Sequence, residues 1–266
     1  MYIEAGTFTP NAESNYNVEE GRRGIISSQW YHRMFSFGFS QDFPLNETKI
    51  TAVSDKVYLI TGSSELAYAA LAVDSEEGII LIEPTLNPFR SEVVDVLLKQ
   101  SFPGKQVIAV TTTHHHMDHF GGVSYFAAKG AEIIIGAEAT GFVEQVLGAN
   151  HDLLNIDPSG ALVTGVTEQS TIKGAFEAIP LSTPHTEDML VFYFEKIKAL
   201  FVGDIFNAGL YYGYDYYPET TQEILQGRAQ LLKSFIAERE LDVELLITVH
   251  GGQTTIDELN QLANKN

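Results

Sequence analysis

Apolar residues recur along this chain in two rhythms. Short runs rich in β-branched and aromatic residues at 56–60, 68–73 and 78–82 predict three successive strands, with 74–78 as the turn between the last two. Asn87 before Pro88 predicts an N-cap followed by a first-turn proline. The helix it opens runs to about residue 100, with Val93, Val94, Leu97 and Leu98 on its apolar side. A strand at 107–110, a helix at 120–129 stopped by Gly130 and a strand at 133–135 follow. Residues 138–147 suit a helix and 151–160 a loop. The second half repeats this layout, with strands at 176–179, 189–194, 199–202 and 245–249. A long helix is predicted from Thr220, where Thr220 and Glu223 have capping-box spacing, with Ile224, Leu225, Leu231, Leu232, Phe235 and Ile236 on one face. A helix from about Thr255 closes the chain.

Residues 1–48 follow neither rhythm at first. They are rich in Asn, Glu, Ser and Gly, then turn aromatic at Trp30, Tyr31, Phe35, Phe37 and Phe39. The alternation of the three phenylalanines suggests a strand packed on the domain of residues 49–266. The other reading is an arm that covers a site or reaches a second copy, which makes a homodimer an expectation to test.

The strand at 107–110 runs into His114, His116, Asp118 and His119, four metal-capable side chains within six positions. Alternate residues of an extended segment point the same way, so His114 and His116 can grip one ion while His115 points elsewhere. Asp118 and His119 follow where the chain turns and can face a second ion nearby. Gly121 and Gly122 are expected to allow a tight turn into a helix. A solvated histidine-rich turn, or the residue of a purification tag, is the competing account. A tag lies at a terminus and does not carry an aspartate in register.

Composition narrows the chemistry. With 266 residues and 44% hydrophobic content the chain can bury a large core. A net charge of −19 disfavours nucleic acid and anionic membranes as partners, leaving a small-molecule substrate. No apolar run approaches the ~18 residues that span a bilayer. With neither a signal peptide nor a span legible, the cytoplasm is the default compartment, an exported mature form being the other option. The absence of cysteine removes thiolates, so any metal must be held by imidazole, carboxylate and water, a set that suits zinc, iron or manganese.

The first cluster cannot close two coordination shells alone, since each ion needs three or more protein ligands. Three further residues follow strands or sit in turns: His185, Asp204 and His250. Asn207 and the tyrosines of 211–217, among them Tyr211, Tyr212 and Tyr214, come soon after Asp204 and are candidate substrate contacts. A packed aromatic loop over the sheet edge explains the same tyrosines. His32, His115 and His151 have no evident partners and are read as structural or surface residues.

The ordered set His-x-His-x-Asp-His, then a histidine, an aspartate and a histidine, resembles the metallo-β-lactamase superfamily from about Lys49 to the end. The resemblance implies an α/β (α+β) fold, a four-layer αββα sandwich with a dinuclear site where two sheets meet. It implies His114, His116 and His185 on one divalent ion and Asp118, His119 and His250 on the other, with Asp204 and a hydroxide bridging the two. Zinc is the expected metal, iron or manganese the alternatives. The activity implied is hydrolysis of an ester, lactone, thioester or amide-type bond, with Asp118 handling the proton. Two departures stand out. Metallo-β-lactamases often have a cysteine, or no carboxylate, at the position of Asp204, which turns the expectation away from β-lactams and toward glyoxalase II, lactonases and related esterases. The superfamily often has Asp where Glu83 stands; Glu83 either supports a ligand loop by hydrogen bonds or is a simple turn residue. A mononuclear iron dioxygenase like the persulfide dioxygenases, a β-lactamase and a non-catalytic metal-binding protein are the alternatives.

Overall fold

The computed structural model describes residues 48–62, 68–149, 151 and 155–265. The expectations placed on residues 1–47, including the aromatic arm and His32, lie outside them.

Thirteen strands form two sheets among the described residues. The first runs β1 (Lys49–Ala52), β2 (Val57–Thr61), β3 (Ala70–Asp74), β4 (Ile79–Ile82), β5 (Val107–Thr111), β6 (Glu132–Gly136) and β7 (Val163–Val166), in that spatial order. Its first three pairings are antiparallel hairpins. From β4 onward the pairs are parallel, because helices α1 (Pro88–Ser101), α2 (Met117–Phe120), α3 (Val123–Ala127) and α4 (Thr140–Leu147) form the crossovers. The second sheet holds β8 (Ser170–Ile172), β9 (Phe176–Pro180), β10 (Leu190–Phe194), β11 (Ala199–Val202), β12 (Leu245–Thr248) and β13 (Gly252–Thr255), in the order β13-β12-β11-β10-β9-β8. Its one parallel pair, β11 with β12, is joined through α5 (Leu210–Gly213) and the long α6 (Glu219–Glu238). Helix α7 (Ile256–Ala263) ends the chain.

Side-chain alternation along each central strand explains the layers. Ile80 and Ile82 enter the core between the sheets with Phe192, Phe201 and Ile247. Their neighbours Ile79 and Leu81 pack outward on Val94, Leu98 and Phe126 of the first helical layer. Val191, Leu200 and Val202 pack outward on Leu232, Phe235, Leu259 and Leu262 of the second. The expected αββα sandwich is therefore the observed fold. Each such fully buried aliphatic or aromatic side chain contributes about 1.5–3 kcal/mol of burial free energy.

Four local expectations are corrected. The helix at 120–129 is two short helices, α2 and α3, broken at Gly121–Gly122. Neither glycine uses a left-handed conformation, with φ of −58° and −93°. They are small because the backbone of Leu86, Pro84 and Asn87 lies where a Cβ would stand. The capping box at Thr220 does not form: α6 starts at Glu219, Pro218 is its N-cap, and no side chain caps it. Ile224 is 56% exposed and leaves the apolar face of that helix. Strands β1, β7, β8 and β13 were not foreseen, being short and only partly buried.

In each sheet, the ends of one parallel pair point to the same place. Glu83 and His114 follow β4 and β5; Asp204 and His250 follow β11 and β12. Two backbone bonds stitch the sheets there, Leu190 N–H to Thr113 O at 2.7 Å and Ala69 N–H to Val249 O at 2.8 Å. Gly203 lies so near Thr113 that a Cβ would strike its side chain. No helix among the described residues is long and apolar enough to cross a membrane.

Candidate metal centre

The turn after β5 does what its spacing predicts. His116 is still extended, at φ −61° and ψ 145°, before α2 begins. The rings of His114 and His116 therefore meet edge to face, 4.5 Å apart, while the His115 ring bonds Asp188 instead. Asp118 and His119 ride on the first turn of α2. The structure brings the remaining three to them. His114, His116, His185 and Asp204 form one group whose donor atoms lie within 4.8 Å of one another, and Asp118, His119 and His250 form a second.

Asp204 links the groups. Its Oδ2 is 3.2 Å from His185 Nε2, and its Oδ1 is 3.1 Å from His119 Nε2 and 3.2 Å from His250 Nε2. Asp118 Oδ2 lies 3.6 Å from His119 Nε2 and 4.0 Å from His250 Nε2. Packing of these imidazoles and carboxylates reshapes their protonation. Burial, then the neighbouring His119, pushes His114 far below the usual histidine range. Burial and His185 lower His116. For His119 burial acts the same way, yet Glu83 and Asp204 outweigh it and raise it to about 10. Burial would raise Asp204, but the imidazoles of His119, His185 and His250 beside it hold it far below the carboxylate range. The carboxylates thus demand positive charge at the centre. His119 Nε2 and Asp204 Oδ1 are also buried without a hydrogen-bond partner. Two such orphaned atoms in a thiol-free nitrogen and oxygen donor set fit divalent zinc, iron or manganese.

Glu83 resolves one open reading. It is fully buried and positive in φ at 66°. Its Oε1 accepts from Thr113 N–H at 2.5 Å, and Oε2 lies 2.8 Å from His119 Nδ1. It supports the ligand turn. His115 also has a partner that spacing did not reveal. Asp188, 4% exposed, accepts from its backbone N–H at 2.9 Å and sits 2.8 Å from its Nδ1, a bond that raises the His115 pKa. His151 bonds Val146 O at 2.9 Å and is structural.

Two residues were missed as part of the site. Tyr68 stacks edge-on against His250 at 4.9 Å, and burial, then Asp118 and Asp204, push its phenol up to about 12. Arg228 of α6 bonds Asp204 O at 2.8 Å and lies 3.2 Å from His185 Nδ1. Neither stands in a motif, so only tertiary packing exposes them.

Of the candidate substrate contacts, Asn207 lies in the loop before α5 with a buried, unpartnered Oδ1. Tyr214 is 6% exposed and Tyr211 packs with it against the second helical layer, with Lys265 over both rings. Tyr212 is 78% exposed.

The comparisons with known proteins agree with this geometry. A family model described as the metallo-beta-lactamase superfamily matches residues 65–250. The chain is 27% identical over 180 residues to the metallo-beta-lactamase type 2 of Elizabethkingia meningoseptica, covering 64% of this chain and 66% of that protein. It is 37% identical over 109 residues to a hydroxyacylglutathione hydrolase of Rhodospirillum rubrum, covering 40% of this chain and 37% of that protein. It is 27% identical over 158 residues to the 2,4-dinitroanisole O-demethylase subunit alpha of a Nocardioides species, covering 59% and 46%. The chain spans 28% to 66% of the length of such curated relatives. The solved metallo-beta-lactamase from Pontibacter korlensis shares the fold, with a TM-score of 0.60 at 19% identity over 81% of this chain and 97% of that one. With the family model covering most of the chain and the same fold in solved relatives, this chain belongs to the metallo-beta-lactamase superfamily.

Proposed function

We propose that this chain is a dinuclear metal-dependent hydrolase acting on an ester, lactone, thioester or amide-type small molecule. The position of Asp204 carries the reading: its two oxygens face different groups of imidazoles, 3.2 Å from His185 on one side and 3.1 and 3.2 Å from His119 and His250 on the other. That is the arrangement a bridging carboxylate requires. His114, His116 and His185 would then hold one ion and Asp118, His119 and His250 the other. Zinc is the first candidate, with iron or manganese as alternatives. When bound, the ions would polarise a carbonyl oxygen and supply a nucleophile from water at neutral pH.

The chain's own residues supply the rest. Asp118 is about a fifth exposed and directs Oδ2 at the shared centre, where it accepts a proton and later returns it to a leaving group. The Tyr68 phenol stays protonated and keeps a donor beside His250. Glu83 and Asp188 hold the ligand turn from both sides. An unpartnered buried oxygen on Asn207 and an exposed ring on Tyr212 support these two as substrate contacts. A carboxylate at Asp204, together with similarity to hydroxyacylglutathione hydrolases, supports an ester or thioester over a β-lactam.

The test is metal analysis of purified protein followed by a panel of lactones, thioesters, sulfate esters, phosphodiesters and β-lactams. Two ions per chain and turnover of a carboxylic ester, lactone or thioester are expected. His116→Ala should lose turnover and the ion of its own group, Asp204→Ala should lose turnover and weaken both ions, and full activity in either overturns the assignment. One iron per chain with thiol-dependent oxygen uptake would make the protein a dioxygenase. Bound metal with no turnover on any substrate would make it a binding protein.

A further inference from the structure

We infer that the two ligand groups are unequal, and that Arg228 makes the one containing His185 the weaker by competing with a cation for the His185 ring. The inference rests on the proposed metal centre.

Arg228 reaches from α6 between two residues of the same group. Its Nη1 donates to Asp204 O at 2.8 Å, and its Nη2 lies 3.2 Å from His185 Nδ1. A guanidinium has donors and no acceptor, so Nδ1 must offer it a lone pair. A neutral imidazole in that state carries its hydrogen on Nε2. That atom faces His114 Nε2 at 3.2 Å and Asp204 Oδ2 at 3.2 Å. An N–H there suits Asp204 and repels a cation, which needs the lone pair.

His119 in the other group has the opposite backing. Glu83 Oε2, an acceptor, lies 2.8 Å from its Nδ1. Glu83 anchors a ring hydrogen on Nδ1, so a cation can take Nε2 without disturbing the contact behind the ring. A carboxylate behind a histidine is the arrangement that orients the ring and strengthens it as a ligand. Filling the His185 group must therefore open the Arg228–His185 contact, while the bond from Arg228 to Asp204 O can persist. Filling the His119 group breaks no such contact. Arg228 is a positioning residue: it ties Asp204 to α6 and sets the direction of the His185 ring.

The test is stepwise zinc binding, read by competition with a chromophoric chelator, in the wild type, His185→Ala, Arg228→Met and Arg228→Lys. Wild type should bind two equivalents with affinities at least about tenfold apart, the scale on which partners behind the ligands act. His185→Ala should lose the weaker step and keep the tighter one. Arg228→Met should tighten the weaker step about tenfold. Arg228→Lys, still only a donor, should leave the gap open. Loss of the tighter step in His185→Ala, or an unchanged or wider gap in Arg228→Met, overturns the inference. If Arg228→Met fails to fold, His185→Ala still tests which group is the weaker, and loss of the tighter step there still overturns the inference. Two equal steps in wild type refute the inequality alone, whereas no zinc binding by wild type refutes the metal centre and the inequality with it.

Discussion

His114 and His119, delivered by one turn after β5, are 1% and 0% exposed, whereas the side chains of His185, Asp204 and His250, delivered by three separate segments of the second sheet, are 18%, 19% and 24% exposed. The first half of the cluster is framed before any cation arrives: Glu83 and Thr113 bond the two buried histidines from behind. The second half is placed by strand ends and closed at its back by the side chain of Arg228. A dinuclear centre can thus combine a rigid, buried pair of histidines with an edge open to ligands, to which Asp118, with a side chain 21% exposed, also belongs.

Removing the frame should have the largest effect. Glu83→Ala leaves Thr113 N–H and His119 Nδ1 unsatisfied in a fully buried place. At roughly 1–3 kcal/mol for each stranded group, about 3 kcal/mol of stability should be lost in a denaturant melt. Metal affinity should fall about 10- to 100-fold in chelator competition. A variant with wild-type stability and affinity would show that the buried edge is not preframed by Glu83.

Forcing the two edges apart should cost less. Gly203 precedes Asp204 and abuts the Thr113 side chain. Gly203→Ala must shift β11 from β5 at the point where the ligands leave both sheets. Overpacking of this kind costs about 1–3 kcal/mol. Metal binding should weaken along with the melt. An unchanged melt would mean the sheets are free to slide at that edge, and the rigidity assigned to it would be wrong.

The tie between the halves comes next. Asp188 lies just before β10 but bonds the backbone and ring of His115 in the other half, and accepts from the Thr186 hydroxyl as well. Asp188→Asn retains one carbonyl acceptor, so about 1 kcal/mol is the expected loss of stability, the difference between hydrogen bonds to a charged and to a neutral acceptor. If affinity for the second, more weakly held zinc changes more than affinity for the first, the tie acts mainly on His114 and His116, the neighbours of His115.

How much of this was legible follows the same division. The first half could be read from spacing, because an extended segment and one helical turn place His114, His116, Asp118 and His119 by local geometry alone. His185, Asp204 and His250 could be located as polar residues beyond apolar strands, but their convergence depends on β11 and β12 being parallel, which no local pattern states. Asp188 and Arg228 were invisible for the same reason: their partners lie 73 and 43 residues away in the chain. The capping box failed because Pro218 takes the N-cap and the helix is already under way at Glu219, so Thr220 lies inside its first turn. Gly121 and Gly122 were marked correctly as special but for the wrong cause, since the contact that requires them is with a distant loop.

The smallest effect is expected at the most exposed point. The tyrosines after Asp204 do not behave as one set: Tyr214 is buried beside α7 and Lys265, while Tyr212 stands 78% exposed with the Tyr211 ring edge-on to it at 5.6 Å. Tyr212→Ala should therefore change stability by no more than about 0.5 kcal/mol, as exposed substitutions away from packing and hydrogen-bond networks do. Metal content should be unchanged, since the ring contributes no ligand. Any effect should appear in KM for the substrate that the panel identifies, with kcat retained, because a surface ring adds binding that is equal in ground and transition states. A fall in kcat at constant KM would move Tyr212 from the open edge of the site into its reacting centre, and the contrast between a framed half and an open half would need a third member.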